Sequence, residues 1–432
     1  MKTRTIIKAI ALALAVSGCA IFTLQGLGTT ASADDGVYTD TALIASATRS
    51  GYSSSGSALL DAGELFTSRD LEQSADLSEA QTLTVSDGQQ ITISSEGVYV
   101  LRGSAKNATV IVDADSSAKV QLVLDGLSIT NDDFPCIYVK SADKVFLTTL
   151  SDSSLSVTGT FASDGDTNTD AVIFSKDDLT LNGTGTLTVS STDNGVSSKD
   201  DLKVTGGSYI ISASSKCLEG KDSICIAGGD FSLTAGSDGL HAENDEDESL
   251  GYIYIGGGSF SVSANDDGIH GNAFVQIDGG SLQIAAAEGI EGSFVQINDG
   301  TISIQSWDDG INAANKSGAY PVCVEINGGD ISIAMSAGDT DGIDANGSIV
   351  VNGGTISITG NSSFDYDVTA QLNGGTVIVN GQTLDSIPNQ MMGGGFGGMG
   401  GQMGGFGGAG GMGGQSGSGF GGGFGGGPGG RH

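Results

Sequence analysis

The feature that most constrains this chain is a short apolar unit repeated nine times in phase. From about residue 169 to 382, each row carries two apolar-x-apolar pairs separated by a glycine turn. Examples are Ile253/Ile255 with Phe260/Val262, Val275/Ile277 with Leu282/Ile284, Val295/Ile297 with Ile302/Ile304, and Ile349/Val351 with Ile356/Ile358. Where nothing interrupts it, the period is 21 to 22 residues, from Gly195 to Cys217 to Gly239 and from Gly268 to Gly289 to Gly310. That is too short for repeats of paired helices. The leucine-rich pattern LxxLxLxxN is absent. Residues two apart share a strand face, so each row reads as three short strands with one aliphatic face. Stacked about 4.8 Å apart, such rows bury together what none can bury alone. The expectation is an all-β fold, a parallel β-helix (solenoid) of about nine clear coils. An antiparallel sandwich would not accommodate nine in-phase rows.

Further alternating segments precede the array, among them Leu83/Val85, Ile91/Ile93, Val98/Val100, Val110/Val112 and Val120/Leu122/Leu124. They predict additional β coils from residue 81. Residues 34–80 are rich in Ser, Ala, Asp and Gly and are expected to form a low-complexity linker. Residues 383–432 end in a Gly/Met/Phe-rich run, expected to be a disordered tail. The N-terminus reads as an export signal, with Lys2, Arg4 and Lys8 before an apolar run. Cleavage after Ala33 gives a signal of residues 1–33; alternatively Val16-Ser17-Gly18-Cys19 is a lipobox that leaves a lipid-anchored Cys19. Both place the protein outside the cell or on its surface. Cys136, Cys217, Cys225 and Cys323 show no CxxC or metal-finger spacing and are expected as isolated residues.

Acids outnumber bases 51 to 17, a formal charge of −34. This argues against nucleic acid and anionic membrane surfaces. It favours cations, and neutral or cation-bridged ligands. Many of the acids recur in phase. Asp238, Asp267, Glu288, Asp309 and Asp341 each precede the repeat glycine, and Asp266 and Asp308 double two of them. Two positions past the glycine stand His241, His270, Glu291, Asn312 and Asp344. Stacked at about 5 Å, like charges repel by roughly 1 to 3 kcal/mol per pair at effective dielectrics of 80 to 20. Asp and Asn before Gly are good turn formers in their own right; as a column of hard oxygen donors they also suit Ca²⁺. Two insertions leave the repeat at one corner. Gly239 to Ile255 and Gly310 to Ile326 each span 16 residues, against 8 from Gly289 to Ile297. One insertion carries Glu243, Asn244, Asp245, Glu246, Asp247 and Glu248, the other Asn315, Lys316 and Tyr320. Glu243, Asp245 and Asp247 thus join the column as candidate metal ligands, unless the run is a solvated charge cluster.

Aromatic residues cluster near these insertions: Tyr252, Tyr254, Trp307, Tyr320, Phe364 and Tyr366. Aromatic faces stack on sugar rings, although packing between loops is the competing use. Trp307, Tyr320, Tyr252 and Tyr254, with His241 and His270, are the candidate carbohydrate contacts. Signals for catalysis are weak. Arg occurs only at positions 4, 49, 69, 102 and 431, outside the nine rows, and no carboxylate pair stands out for glycosidic hydrolysis.

Five strings resemble a known family. They are Ala118–Gly126, Ile137–Val145, Phe174–Gly183, Ser198–Gly207, and Asn244–Asp247 with Gly251–Ile255. Together they resemble the bacterial secreted carbohydrate-binding β-helix family whose founding member binds cellulose and acidic sugars and whose fold is similar to that of polysaccharide lyases. Over residues 80 to 382 the resemblance implies a right-handed parallel β-helix, bound Ca²⁺ and binding without cleavage. Lys216-Cys217-Leu218-Glu219 departs from the Asp-Gly-Ile-x pattern, which puts a cation site through that row in doubt. The expected function is extracellular, monomeric, Ca²⁺-assisted binding of a plant-type or acidic polysaccharide. A β-helix lyase or hydrolase, and a structural adhesion protein using the tail, are the alternatives.

Overall fold

In the computed structural model, residues 58–337 and 340–389 are described. The expected signal at 1–33, Cys19, residues 34–57 and the tail from residue 390 lie outside them. The described chain is almost entirely β, with one helical turn at Ala62–Leu65. Its strands belong to one long, mostly parallel sheet. Each strand pairs in register with its equivalent one row later, giving three ladders. The first runs through Leu240–Ala242, the start of Asp267–Ile277, the start of Glu288–Ile297, and Ile311–Ala313 to Ile343–Ala345. The second runs through Ser223–Ile226, Tyr252–Ile255, the ends of the same two long strands, and Cys323–Ile326 to Ser348–Val351. The third links Asp230–Ala235, Ser259–Ala264, Ser281–Ala286, Thr301–Ser306 and Asp330–Met335.

Register explains the sequence repeat. Ile269 pairs with Ile290, Ile290 with Ile311 and Ile311 with Ile343, and all four are buried in one continuous core. Val275, Val295, Val324 and Ile349 stack likewise in the second ladder. Tyr209, Phe231 and Phe260 stack face to face at 5.3 and 4.5 Å. The repeat glycine follows from close approach. A Cβ on Gly268 would sit 2.6 Å from the Gly289 carbonyl oxygen and 2.3 Å from Ile284 Cγ2. The second glycine of the turn pair has a different cause, since Gly280 adopts φ +100°. The four cysteines from Cys136 to Cys323 are buried and unbridged, as their spacing predicts.

Two boundaries differ from the sequence reading. Residues 58–80 are no loose linker but a strap across the outer side of the second ladder. Leu59 and Leu60 donate their amides to Gln296 and Gln276 at 3.0 and 2.7 Å. Leu65 is buried in a second apolar cluster with Tyr254 and Phe274. Asp70 is fully buried beside Lys144 at 3.0 Å and Lys203 at 3.9 Å. A few apolar residues and one carboxylate fix a segment whose average composition reads as unstructured. At the other end, Gln382–Leu384 turns back antiparallel onto Thr376–Val379, so ordered chain continues past the expected limit at 382.

Candidate functional site

The acidic column lies along the first ladder. Neighbours in a strand point to opposite sides, so His270 faces outward where Ile269 faces the core. Its row reads Glu219, His241, His270, Glu291, Asn312, Asp344 and Asp365, each paired with the next. Beside it runs the second line of acids: the Asp267 amide donates to Asp238 Oδ1 at 3.2 Å, and the Asp341 amide to Asp309 Oδ1 at 3.0 Å. These bonds tie each acid to the backbone of the following row, 29 and 32 positions on.

The column divides into two electrostatic halves. In the first, cationic side chains are built in. Glu219 lies 2.7 Å from Lys199 and 3.0 Å from Lys216; burial opposes its ionisation, yet the two lysines hold it down at about 2. His270 Nδ1 is 2.5 Å from Asp267 and 2.8 Å from Glu291, while Nε2 is 3.0 Å from Asn272 Oδ1. The Asn272 amide nitrogen donates to Glu243 at 3.0 Å, which fixes its oxygen toward the histidine. Both ring nitrogens thus face acceptors, which only an imidazolium satisfies. Burial alone would lower its pKa; the bonds to Asp267 and Glu291 outweigh this and raise it to about 10. Lys316 adds a second cation 2.9 Å from Glu291. The His241 ring stacks on His270 at 4.7 Å, with Nδ1 2.8 Å from Asp238 and Nε2 3.2 Å from Glu243.

In the second half carboxylates face one another. Burial, then Asp309, Asp365 and Asp341, push Asp344 up to about 7. Burial, then Asp308 and Asp341, push Asp309 to about 6. Between the halves, burial and Glu291 raise Glu288 to about 8. Asn312 donates its amide nitrogen to Glu288 at 2.9 Å and Glu291 at 3.3 Å. Its Oδ1 is buried without a hydrogen-bond partner, and so is Asp365 Oδ1.

The two insertions do leave at one corner, and they meet. Ser317 Oγ donates to the Glu248 carbonyl at 2.6 Å, and the Tyr320 hydroxyl to that of Ser249 at 3.1 Å. Between them is a polar cavity of about 130 Å³ lined by Asn244, Asp245, Glu248, Leu250, Asn272, Lys316 and Ser317. Asp245, Asp247 and Glu246 are exposed, and Asp247 closes a turn onto Ser249 at 2.6 Å. Asp266 and Asp308 also point to solvent, away from the paired column.

The aromatic set separates sharply. Tyr252, Tyr254 and Tyr320 are 7%, 1% and 6% exposed. They pack with Phe274, Phe294 and Leu65 in the second apolar cluster, so their rings have no free face to offer a sugar. The i, i+2 spacing of Tyr252 and Tyr254 placed both on the outer side of the second ladder; the strap, invisible to that spacing, covers them. Phe364 belongs to the main core. Trp307 stands apart at 48% exposed, directly before Asp308 and Asp309. Sequence reasoning missed Asn272 and Glu219 as column partners, whose only signal was their position on or next to the in-phase row, and it placed Lys316 in an insertion without linking it to Glu291.

The array resembles known proteins in sequence as well as in pattern. Residues 87–338 match the carbohydrate-binding domain-containing protein family, with an overlapping second match over 285–386. A carbohydrate-binding domain-containing protein of Acetivibrio thermocellus is 35% identical over 136 residues, which are 30% of this chain and 47% of that relative. The match thus spans less than half of the relative's length. Among solved structures, the polysaccharide lyase-like protein from C. thermocellum, as a gadolinium derivative, matches at 26% identity and a TM-score of 0.41, covering 60% of this chain and 96% of that one. Since the family match takes in well over half of the 432 residues, the chain belongs to the carbohydrate-binding domain-containing protein family.

Proposed function

We propose that the three ladders wind as a right-handed parallel β-helix and that the protein is an exported, monomeric, non-catalytic polysaccharide-binding module. Export would proceed by cleavage after Ala33 or by lipidation at Cys19. The observation that carries the reading is the exposed aromatic face of Trp307, two residues before Asp309 of the acidic column. An exposed indole offers a sugar ring a flat apolar surface. Carboxylates and amides beside it accept and donate hydrogen bonds to hydroxyls. The donor set of the second half of the column, with buried oxygens on Asn312 and Asp365 that lack partners, fits a hard cation such as Ca²⁺. When bound, Ca²⁺ would neutralise these acids and allow an anionic polysaccharide to approach a chain of net charge −34. The ligand class favoured is plant-type or acidic polysaccharide, cellulose or polygalacturonate-like.

Non-catalytic binding is supported by the basic groups at the site. Burial would lower the Lys316 pKa, but Glu291 outweighs it and raises the value. Lys316 therefore stays protonated at neutral pH and is a poor general base. The test is retention of the full chain on insoluble cellulose and on immobilised polygalacturonate, with Ca²⁺ and with EDTA, alongside an assay for new unsaturated or reducing ends. Retention without new ends is expected. Failure to bind any of a broad glycan panel, or steady release of ends, overturns the reading.

A further inference from the structure

We infer that the strap at residues 58–73 is a displaceable occupant of a second polysaccharide groove, in which its Asp70 carboxylate takes the place of a uronate carboxylate. This rests on the polysaccharide-binding reading above and adds to it a second site that the chain itself keeps closed. The groove is one straight row. Register partners run from Phe146 through Thr180, Lys203 and Tyr254 to Gln276 and Gln296, extending the second ladder back to Lys144–Ser151. Their strand neighbours Leu181, Val204 and Ile255 lie in the main core, so the row faces outward. At about 4.8 Å per strand it is about 29 Å long. Rings, amides and an ammonium group in a line are the chemistry that holds a sugar chain.

The strap follows this row from end to end, as a linear polymer would. Leu59 and Leu60 sit at Gln296 and Gln276. The Phe66 and Tyr254 rings lie 6.3 Å apart, and the Leu65 carbonyl accepts from Lys203 at 2.6 Å. Arg69 lies over the Phe146 ring at 4.3 Å. Among the described residues, no backbone–backbone hydrogen bond joins 58–73 to the ladders, so side chains alone hold it. Asp70 is the most specific of these contacts. The ladders offer it Lys144 at 3.0 Å, the Thr180 hydroxyl at 2.9 Å and Lys203 at 3.9 Å; the remaining bonds come from Thr67 of the strap itself. Two ammonium groups and a hydroxyl are a donor set for a carboxylate on any chain lying in the row. Asp178, the register partner of Lys144, gathers with Asp200 and Asp201, yet the seat still holds a fully buried carboxylate. The anionic ligand class follows from that occupant.

The experiment titrates the full chain with a galacturonate oligomer by calorimetry, in EDTA and in a Trp307→Ala background, so that the first site is silent. Hydrogen exchange of residues 58–73 reports separately whether the strap is open. Asp70→Ala empties the carboxylate seat, and Phe66→Ala loosens the strap without changing charge. A closed groove shows an affinity reduced by its open fraction, so either change is expected to tighten binding by about tenfold or more. Lys144→Gln or Thr180→Val, added to Asp70→Ala, should abolish the gain while the strap stays open. An uncharged cello-oligomer should gain far less. A strap that opens without any gain overturns the proposal, as does a gain that survives loss of Lys144 and Thr180 or is equal for the uncharged oligomer. A strap that stays closed in both variants overturns it too, since these anchors are what hold it. Retention of the unsubstituted chain on the glycan panel tests the first reading apart from this one: no retention there, beside binding by the opened variants, refutes the Trp307 site and leaves the groove standing.

Discussion

At the residue scale, burial decides which of two chemically similar groups can meet a ligand. Trp307 and Tyr252 are both candidate sugar contacts in the sequence, but one is 48% and the other 7% exposed. Trp307→Ala should reduce polysaccharide retention while shifting stability by no more than about 0.5 kcal/mol, as surface changes do. Tyr252→Ala, which empties a place against Phe274 at 4.8 Å, should cost about 3–5 kcal/mol. Denaturant melts and a pull-down on insoluble glycan separate the two. His270 makes a second prediction. Its folded pKa of about 10 lies above the ordinary 6.5, so its stabilisation is complete below that ordinary value and disappears as pH rises through about 10. His270→Gln leaves Asp267 and Glu291 buried without this cation and should cost about 3–5 kcal/mol. The gap between wild-type and variant melting temperatures should be widest at about pH 5 to 6.5 and narrow toward pH 10.

At the scale of elements, the strap and the ladders are stabilised differently. A ladder strand is fixed by neighbours on both sides, whereas the strap is held by a few side-chain anchors. The Asp70 carboxylate is the centre of these. It meets Lys144 at 3.0 Å, accepts from Thr180 at 2.9 Å and from Thr67 at 2.9 Å. Lys203, itself buried, also donates to the Leu65 carbonyl at 2.6 Å. Asp70→Ala removes the buried carboxylate that pairs with Lys144 at 3.0 Å and should cost about 3–5 kcal/mol. Hydrogen exchange should then accelerate first in residues 58–73 and around Gln276 and Gln296, before the third ladder responds. Uniform acceleration through the array would show that strap and ladders unfold as one unit.

At the scale of the whole molecule, charge and repetition act together. A parallel array forces each row's acids into line, so a chain with 51 acids and 17 bases concentrates repulsion along one edge. Lysines and histidine relieve it for part of that length. Under the cation proposal, binding of polygalacturonate should collapse when EDTA replaces Ca²⁺, because polyanion and column then repel directly. Binding of uncharged cellulose should fall far less. Raising monovalent salt from about 0.01 to 0.15 M shortens the screening length from about 30 to 8 Å and should partly restore the EDTA-treated polyanion binding. Retention assays across both series check this.

The sequence by itself determined the rows. A fixed interval of 21 to 22 residues with aliphatics at i, i+2 leaves parallel stacking as the way to bury every pair, and Ile269, Ile290, Ile311 and Ile343 do stack. The common corner of the two insertions and the alignment of Asp238, Asp267, Glu288, Asp309 and Asp341 were legible for the same reason, because period converts directly into position. Only the tertiary structure decided what lies across the rows. Tyr254 meets Phe66 from 188 positions earlier, Lys316 reaches Glu291 from an insertion, and Asp70 pairs with Lys144 across 74 positions. These contacts depend on where non-repeating segments dock. Periodicity carries no information about them, and they settle which aromatics are covered and which acids already have a counterion.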